Sequence, residues 1–307
     1  MTFLGGIGNF SRSIFRFITV IIFHNTTDDL KKNFLAFSAG LLAFPFNIPG
    51  TTYHKCLKGR KNVMKLLRKL SAERKNSPQK TCTDYLDFVI EELRNDNSML
   101  TESVALNLMF ALLYASSETP APALCLAVKT LADHPKILEE LTEEHDAIIR
   151  SRKDPNSGIT WEEYKSMKFT YHVINETLRL ANIAPVIFRK ALKDIHINGY
   201  TIPAGWGIMI CLLAVHLNPD LYEDPLTFNP WRWKDTPEKS VGTRNFMPFG
   251  LGMRLCVGAQ FTKLEMAIFL HYLVTKYRWN SIKGGNTTRS PGLRFPDGYH
   301  IQVFSKE

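Results

Sequence analysis

Between Phe249 and Gly258 the chain reads Phe-Gly-Leu-Gly-Met-Arg-Leu-Cys-Val-Gly, and no other segment restricts its fold as much. Gly250, Gly252 and Gly258 surround a single cysteine, Cys256, so the backbone is free to turn tightly and to approach a flat ligand closely. Arg254, two residues earlier, supplies the positive charge that keeps a thiolate ionised and able to hold a metal. The apolar pattern starting at Ala259 reads as a helix whose positive end points at the sulfur. With no second Cys or His nearby, a tetrahedral zinc site does not fit. A group that takes only one proximal ligand from the protein, such as haem, does fit. The alternative for a lone cysteine is a buried free thiol in a glycine-rich turn.

Composition bounds the rest. The 307 residues are 45% hydrophobic and 22% charged, which excludes disordered and fibrous classes. That length buries ample core as one domain or two. Cys56, Cys82, Cys125, Cys211 and Cys256 are odd in number and form no CxxC pair, so a reducing compartment is expected rather than a disulfide framework. The sequons at Asn25 and Asn286 are then expected to stay unused. The net charge of +9 reads as a solvated basic surface, or as attraction to an acidic protein or an anionic membrane face. No motif accompanies it that would support nucleic-acid binding. No segment reaches the roughly 18 apolar residues of a membrane span. The nearest, Ile14 to Phe23, is interrupted by Arg16 and Thr19 and reads as a buried helix or a signal-peptide core.

The first half reads helical. Lys58 to Lys75 is basic, with Val63, Leu66, Leu67 and Leu70 at helical intervals, and predicts an exposed amphipathic helix. A polar break around Pro78 and Thr81 precedes a short helical pattern over Asp84–Arg94. Leu100 to His134 predicts a central buried helix, kinked or broken by Pro120 and Pro122. Pro135 opens the next helix, with Ile137, Leu138, Leu141, Ile148 and Ile149 on one side. A loop spans 154–158. Thr160 and Glu163 form a capping-box pattern for a helix running to about Leu180. Beyond Pro185 the pattern turns to strands. Asn198-Gly199 between Ile195–Ile197 and Tyr200–Ile202 is a strong hairpin signal, and Gly207–Leu213 is a further apolar run. Residues 218–239 read as ordered but irregular. A last helix is expected over Ala259–Trp279, with Phe261, Leu264 and Ile268 on one face, and Pro296-Asp297-Gly298 marks a closing hairpin.

Phe249, Gly252, Arg254, Cys256 and Gly258 match every fixed position of FxxGxRxCxG, a chance event on the order of one in a million per position at average residue frequencies. In this the chain resembles the cytochrome P450 family. Further marks stand in the family's order: Glu176-Thr177-Leu178-Arg179 as ExxR, whose spacing puts both side chains on one helical face; Phe228-Asn229-Pro230-Trp231-Arg232-Trp233; His216-Leu217-Asn218-Pro219; and Glu223-Asp224-Pro225. Ala115-Ser116-Ser117-Glu118-Thr119-Pro120 resembles the oxygen-activation motif. Three positions depart from the usual pattern: Leu251 and Ser116 replace glycines, and Pro120 replaces a hydroxyl residue.

The resemblance implies a fold that is mainly α with a small β portion, the cytochrome P450 fold, incomplete at the N-terminus. Residues 1–307 would form a single domain, the C-terminal two-thirds of the family fold, helical over 1–185 and mixed over 186–307. Cys256 would be the axial ligand of haem b (iron protoporphyrin IX), with Phe249 and Gly258 also in the haem-binding set and Arg189 and Arg254 binding the propionates. Glu118 and Thr119 would relay protons. Glu176, Arg179 and Arg232 would lock the core beneath the loop, and His216 is read as structural.

The implied activity is hydroxylation of a hydrophobic polycyclic substrate, of steroid or triterpenoid type as in plant sterol-, brassinosteroid- and triterpenoid-oxidising members, with O2. Electrons would come from NADPH through a flavoprotein reductase docked on the basic face around the loop. By the same resemblance the setting is the cytosolic face of the endoplasmic reticulum membrane. Membrane association is expected of full-length relatives, whose anchor this chain is expected to lack. Two rival readings stand beside it: a haem binder without turnover, and a helical structural protein without haem.

Overall fold

The computed structural model describes residues 28–76, 84–95, 98–154, 157–235, 243–289 and 292–306. The segment Ile14–Phe23, the sequon at Asn25, Cys82 and the break around Pro78 and Thr81 lie outside the described residues. Contacts group the chain into two compact units, one from Gly8–Thr119 and one centred on Pro120–Glu307.

The N-terminal unit contributes α1 (Asp28–Gly40), α2 (Thr52–Asn76), α3 (Tyr85–Glu92) and α4 (Glu102–Glu118). The α1–α2 pair packs backbone to backbone: a Cβ on Gly59 would lie 2.6 Å from the Asn33 carbonyl oxygen, and one on Gly40 would overlap Cys56. α2 buries Val63, Met64 and Leu67 while Lys58, Arg60, Lys61, Lys65, Arg68 and Lys69 stay exposed, as its amphipathic pattern predicts. Asp84 caps α3 and pairs with Arg74 at 2.9 Å. Phe34 packs tilted and Phe37 edge-on against Phe110, at 5.2 and 4.9 Å between ring centroids, tying α1 to α4.

The expected central helix is two helices. α4 ends at Glu118 with Thr119 as its C-cap, and α5 (Pro120–Asp133) begins at the next residue. A first helical turn has no use for its N–H groups, so one break places both Pro120 and Pro122 where their missing donors cost nothing. α4 is only half-buried; α5 is buried along most of its length.

In the C-terminal unit, α5 is followed by α6 (Pro135–Ser151), α7 (Trp161–Ser166) and α8 (Lys168–Ala181). The capping box of Thr160 and Glu163 forms, but the predicted single helix is interrupted at Met167. The Glu144 carboxylate of α6 accepts from Phe169 N and Thr170 N at 2.7 and 2.9 Å, which satisfies a new helix N-terminus there.

Among the described residues, four two-stranded antiparallel ladders follow. β1 (Val186–Lys190) pairs with β4 (Gly207–Cys211), and β2 (Ile195–Ile197) with β3 (Tyr200–Ile202) across the expected Asn198-Gly199 turn. Both turn residues have φ of +48° and +80°, as a tight hairpin turn requires. The apolar run after Gly207 leaves β4 for α9 (Leu212–His216). The last helix, α10 (Ala259–Lys276), stops three residues short of Trp279, which lies in β5 (Tyr277–Gly284). Its buried face holds Ala259, Lys263, Met266, Ala267, Leu270 and Val274, while Phe261 is exposed. That reverses the expected face, because Lys263 and His271 find polar partners inside. β6 (Thr288–Arg289) pairs with β7 (Leu293–Arg294), and β5 with β8 (Tyr299–Ser305). The Pro296–Gly298 turn therefore joins β7 to β8, two strands that pair elsewhere, and does not close a hairpin.

Candidate functional site

The site is built on α8, which is held at both ends. Glu144 caps its start. At its end Asn182 takes a left-handed conformation (φ +42°), which asparagine tolerates at a helix C-terminus. Arg289 donates to the carbonyls of Leu180 and Ala181, both at 2.6 Å, satisfying otherwise orphaned acceptors. Along its flank, Lys263 of α10 donates to Asn175 Oδ1 at 2.8 Å.

So fixed, α8 presents Glu176 and Arg179, each with no solvent exposure. Arg179 donates to Glu176 through Nε at 3.0 Å and Nη2 at 2.8 Å, a bidentate arrangement that suits a buried guanidinium–carboxylate pair. The structure brings Arg232 to the same carboxylate at 3.1 Å. Two donors that sequence reasoning missed complete it: Trp233 Nε1 at 2.9 Å and Asn229 N at 3.0 Å. Arg179 Nη1 also donates to the carbonyls of His216 and Pro225, at 2.8 and 2.7 Å.

The irregular stretch beyond α9 thus wraps this pair and delivers the chain to the cysteine loop. Phe246 is buried between Trp233, 4.4 Å between ring centroids, and His216, at 5.8 Å. Tyr222 OH donates to Asn245 O at 2.7 Å. His216, itself fully buried, accepts from Met247 N on Nε2 at 3.1 Å. Three successive residues, 245–247, are therefore anchored before the loop begins.

Within the loop, Gly250 N donates to Met247 O and Cys256 N to Phe249 O, both at 3.0 Å. Gly250 and Gly252 have φ of +78° and +71°, the left-handed region that glycine enters without strain. Arg254 sits in a 3-10 turn, Gly252–Arg254. Cys256 is a free, exposed cysteine. A Cβ on Gly258 would lie 3.8 Å from its sulfur, in ordinary van der Waals contact. Ala259 N donates to Cys256 O at 3.3 Å, which places the thiol directly ahead of α10.

Leu251, Met253, Leu255 and Val257 are exposed around the thiol. A solvent-facing sulfur framed by glycines and apolar side chains fits a flat, largely apolar group with one open coordination position. No group of three or more His, Cys, Asp or Glu able to hold a metal occurs among the described residues.

The remaining candidates sit on other elements. Arg189, exposed on β1, donates to Phe188 O at 2.8 Å. Glu118 and Thr119 belong to the N-terminal unit. There the Glu118 carboxylate accepts from Ser38 Oγ at 3.3 Å, and the Thr119 hydroxyl donates to Ala115 O at 2.8 Å.

The family model for cytochrome P450 matches residues 21–295. Cytochrome P450 87A3 of Oryza sativa subsp. japonica is 61% identical over 278 residues, which are 91% of this chain and 54% of that protein. A beta-amyrin 16-alpha-hydroxylase of Maesa lanceolata is 43% identical over 92% of the chain and 59% of its own length. The chain thus spans little more than half the length of these relatives. A solved structure described as retinoic acid bound cyanobacterial CYP120A1 superposes with a TM-score of 0.87 at 26% identity, over 98% of this chain and 69% of that one. The cysteine loop, the buried Glu176–Arg179 pair and a match across both compact units agree: the chain belongs to the cytochrome P450 family.

Proposed function

We propose that the chain is the cysteine-loop portion of a haem-thiolate monooxygenase that hydroxylates a polycyclic steroid or triterpenoid. One observation carries this reading: an exposed Cys256 thiol, framed by glycines and anchored through residues 245–247 to a buried ion-paired core. The substrate class is supported by relatives described as a beta-amyrin 16-alpha-hydroxylase, a cucurbitadienol 11-hydroxylase and a cholesterol 22-monohydroxylase, each at 40% to 43% identity.

Bound haem b would supply the iron centre that takes O2 and places one oxygen atom in an unactivated C–H bond. Cys256 would hold that iron, with Phe249 and Gly258 lining the haem beside it. Arg254 and Arg189 would bind the propionates, for which a guanidinium fork is suited. Glu118 and Thr119 would pass protons inward, the carboxylate taking up protons and the hydroxyl delivering them. Electrons would come from NADPH through a flavoprotein reductase drawn to the basic surface of a chain carrying +9, by electrostatic complementarity. The two compact units would form one haem domain, as the single family match across 21–295 supports. The setting would be the cytosolic face of the endoplasmic reticulum membrane, although no helix among the described residues is long and apolar enough to cross a membrane.

A second reading, haem binding without turnover, is favoured by one observation: Pro120 takes a hydroxyl position of the relay motif, and the helix breaks at Thr119.

The reduced carbon monoxide difference spectrum of the expressed chain, beside Cys256→Ala, tests both. Thiolate ligation predicts a band near about 450 nm that the variant loses, and sterol and triterpene turnover with a reductase then separates the two readings. A chain that binds no haem would sink both.

A further inference from the structure

His216 links the buried arginine core to the cysteine loop, and its proton is fixed by its neighbours. Met247 N–H only donates, so the Nε2 that faces it at 3.1 Å is an acceptor and carries no hydrogen. The hydrogen of the neutral ring therefore sits on Nδ1, 2.7 Å from Asn182 Oδ1. Asn182 is itself oriented, because its Nδ2 donates to Arg179 O. The backbone carbonyl of His216 accepts from Arg179 Nη1. Both ring nitrogens and the carbonyl of this residue are thus committed, at zero solvent exposure, between the end of α8 and the segment that leads into the loop. Burial first, then the neighbouring Arg179 guanidinium, lowers the imidazole to about 4, so it stays neutral at ordinary pH.

We infer that His216 is a positioning residue for the cysteine ligand, acting through the single hydrogen bond from Met247 N to its Nε2. Met247 O accepts from Gly250 N, and Phe249 O from Cys256 N. Fixing the amide of residue 247 therefore fixes the start of a short hydrogen-bonded segment that ends at the backbone amide of Cys256. The haem consequence of this inference rests on the function proposed above; the loop-anchoring part does not.

Two near-isosteric variants separate the two nitrogens of the ring. In His216→Gln the terminal amide reaches the place of Nε2 and its oxygen still accepts from Met247. In His216→Asn the shorter amide reaches only the place of Nδ1, so the contact with Asn182 survives and the acceptor for Met247 is lost. Hydrogen exchange on the whole expressed chain reads the Met247 amide with or without haem. The expected result is exchange faster on the order of tenfold in His216→Asn, and close to wild type in His216→Gln. In the haem-loaded chain, His216→Asn is expected to move part of the carbon monoxide band from about 450 nm toward about 420 nm, with His216→Gln restoring it.

Equal exchange in the two variants, or an unprotected Met247 amide in the wild-type chain, would overturn the inference. The expected exchange pattern in a chain without a 450 nm band would uphold the anchor while sinking the proposed function. The reverse, a wild-type 450 nm band that both variants keep or both lose equally, would leave the function standing and remove His216 from it.

Discussion

Glu176 takes five hydrogen bonds on two oxygens: three on Oε1, from Arg179, Arg232 and Asn229 N, and two on Oε2, from Arg179 and Trp233. A carboxylate without solvent exposure gains from this only while its partners stay paired, since a guanidinium buried beside a vacated acceptor keeps its full desolvation cost. Glu176→Gln leaves Arg179 buried without its counter-charge. It is expected to lower unfolding free energy by about 3–5 kcal/mol, read as the urea midpoint of the expressed chain at constant slope; a loss under about 1 kcal/mol would contradict the network. The spacing of Glu176, Arg179 and Arg232 was legible in the sequence, as was the setting of Cys256, because these positions lie at fixed intervals within short motifs. Trp233 and Asn229 were not, although both lie in a quoted motif, because what aims an indole N–H or a backbone N–H at Glu176 is a fold closing over more than fifty residues. The sequence marks His216 as structural, yet nothing in it tells which amide faces the acceptor nitrogen of the ring.

At the scale of elements, hydrophobic periodicity located the helices but missed the break at Met167 and the buried face of α10. α10 shows why. Lys263 and His271 count as polar in any pattern, yet both are buried, the lysine against Asn175 and the histidine 3.0 Å from His145. The exposed Phe261 takes the place a pattern gives to core. The break at Met167 was illegible for a related reason: the residue that caps α8, Glu144, comes from another helix. The break at Thr119 was expected at Pro120 and Pro122, and its position has a thermodynamic consequence. Both prolines lie in the first turn of α5, where a missing N–H removes no hydrogen bond. Pro122→Ala is therefore expected to change stability by less than about 0.5 kcal/mol, whereas Leu126→Pro, one turn further in, should cost about 3 kcal/mol or more. Thermal unfolding of the two variants checks this, and a large loss in Pro122→Ala would mean that proline holds the break open rather than merely fitting it.

Over the whole molecule, the buried titratable groups set how stability depends on pH. His145 is lowered to about 3 by burial and then by His271; His271 to about 4 by burial and then by Arg152; His216 to about 4 by burial and then by Arg179. Each folded value lies below the ordinary 6.5, so the unfolded chain takes up these protons first. Their contribution is present above about 6.5 and is lost as pH falls toward 4. Glu265 has the opposite sign. Its Oε2 is buried without a hydrogen-bond partner, and burial raises its carboxyl to about 7, so the folded chain holds that proton more tightly and loses stability as pH rises from 4.5 through 7. Lys263, lowered to about 8 by burial, titrates above this window. Between pH 4.5 and 6.5 the unfolded state thus binds up to three extra protons and the folded state one, a net of about two. The histidines win: unfolding free energy should climb with pH by at most about 3 kcal/mol per unit, less wherever solvent reaches the rings and screens them. Urea unfolding at pH 5, 6 and 7 measures the slope, and His145→Gln should flatten it by removing one of the three protons. A midpoint that stays level or rises toward pH 5 would mean that at least two of these imidazoles are not held neutral in the fold. The α6–α10 contact through His145 and His271 would then have to be redrawn.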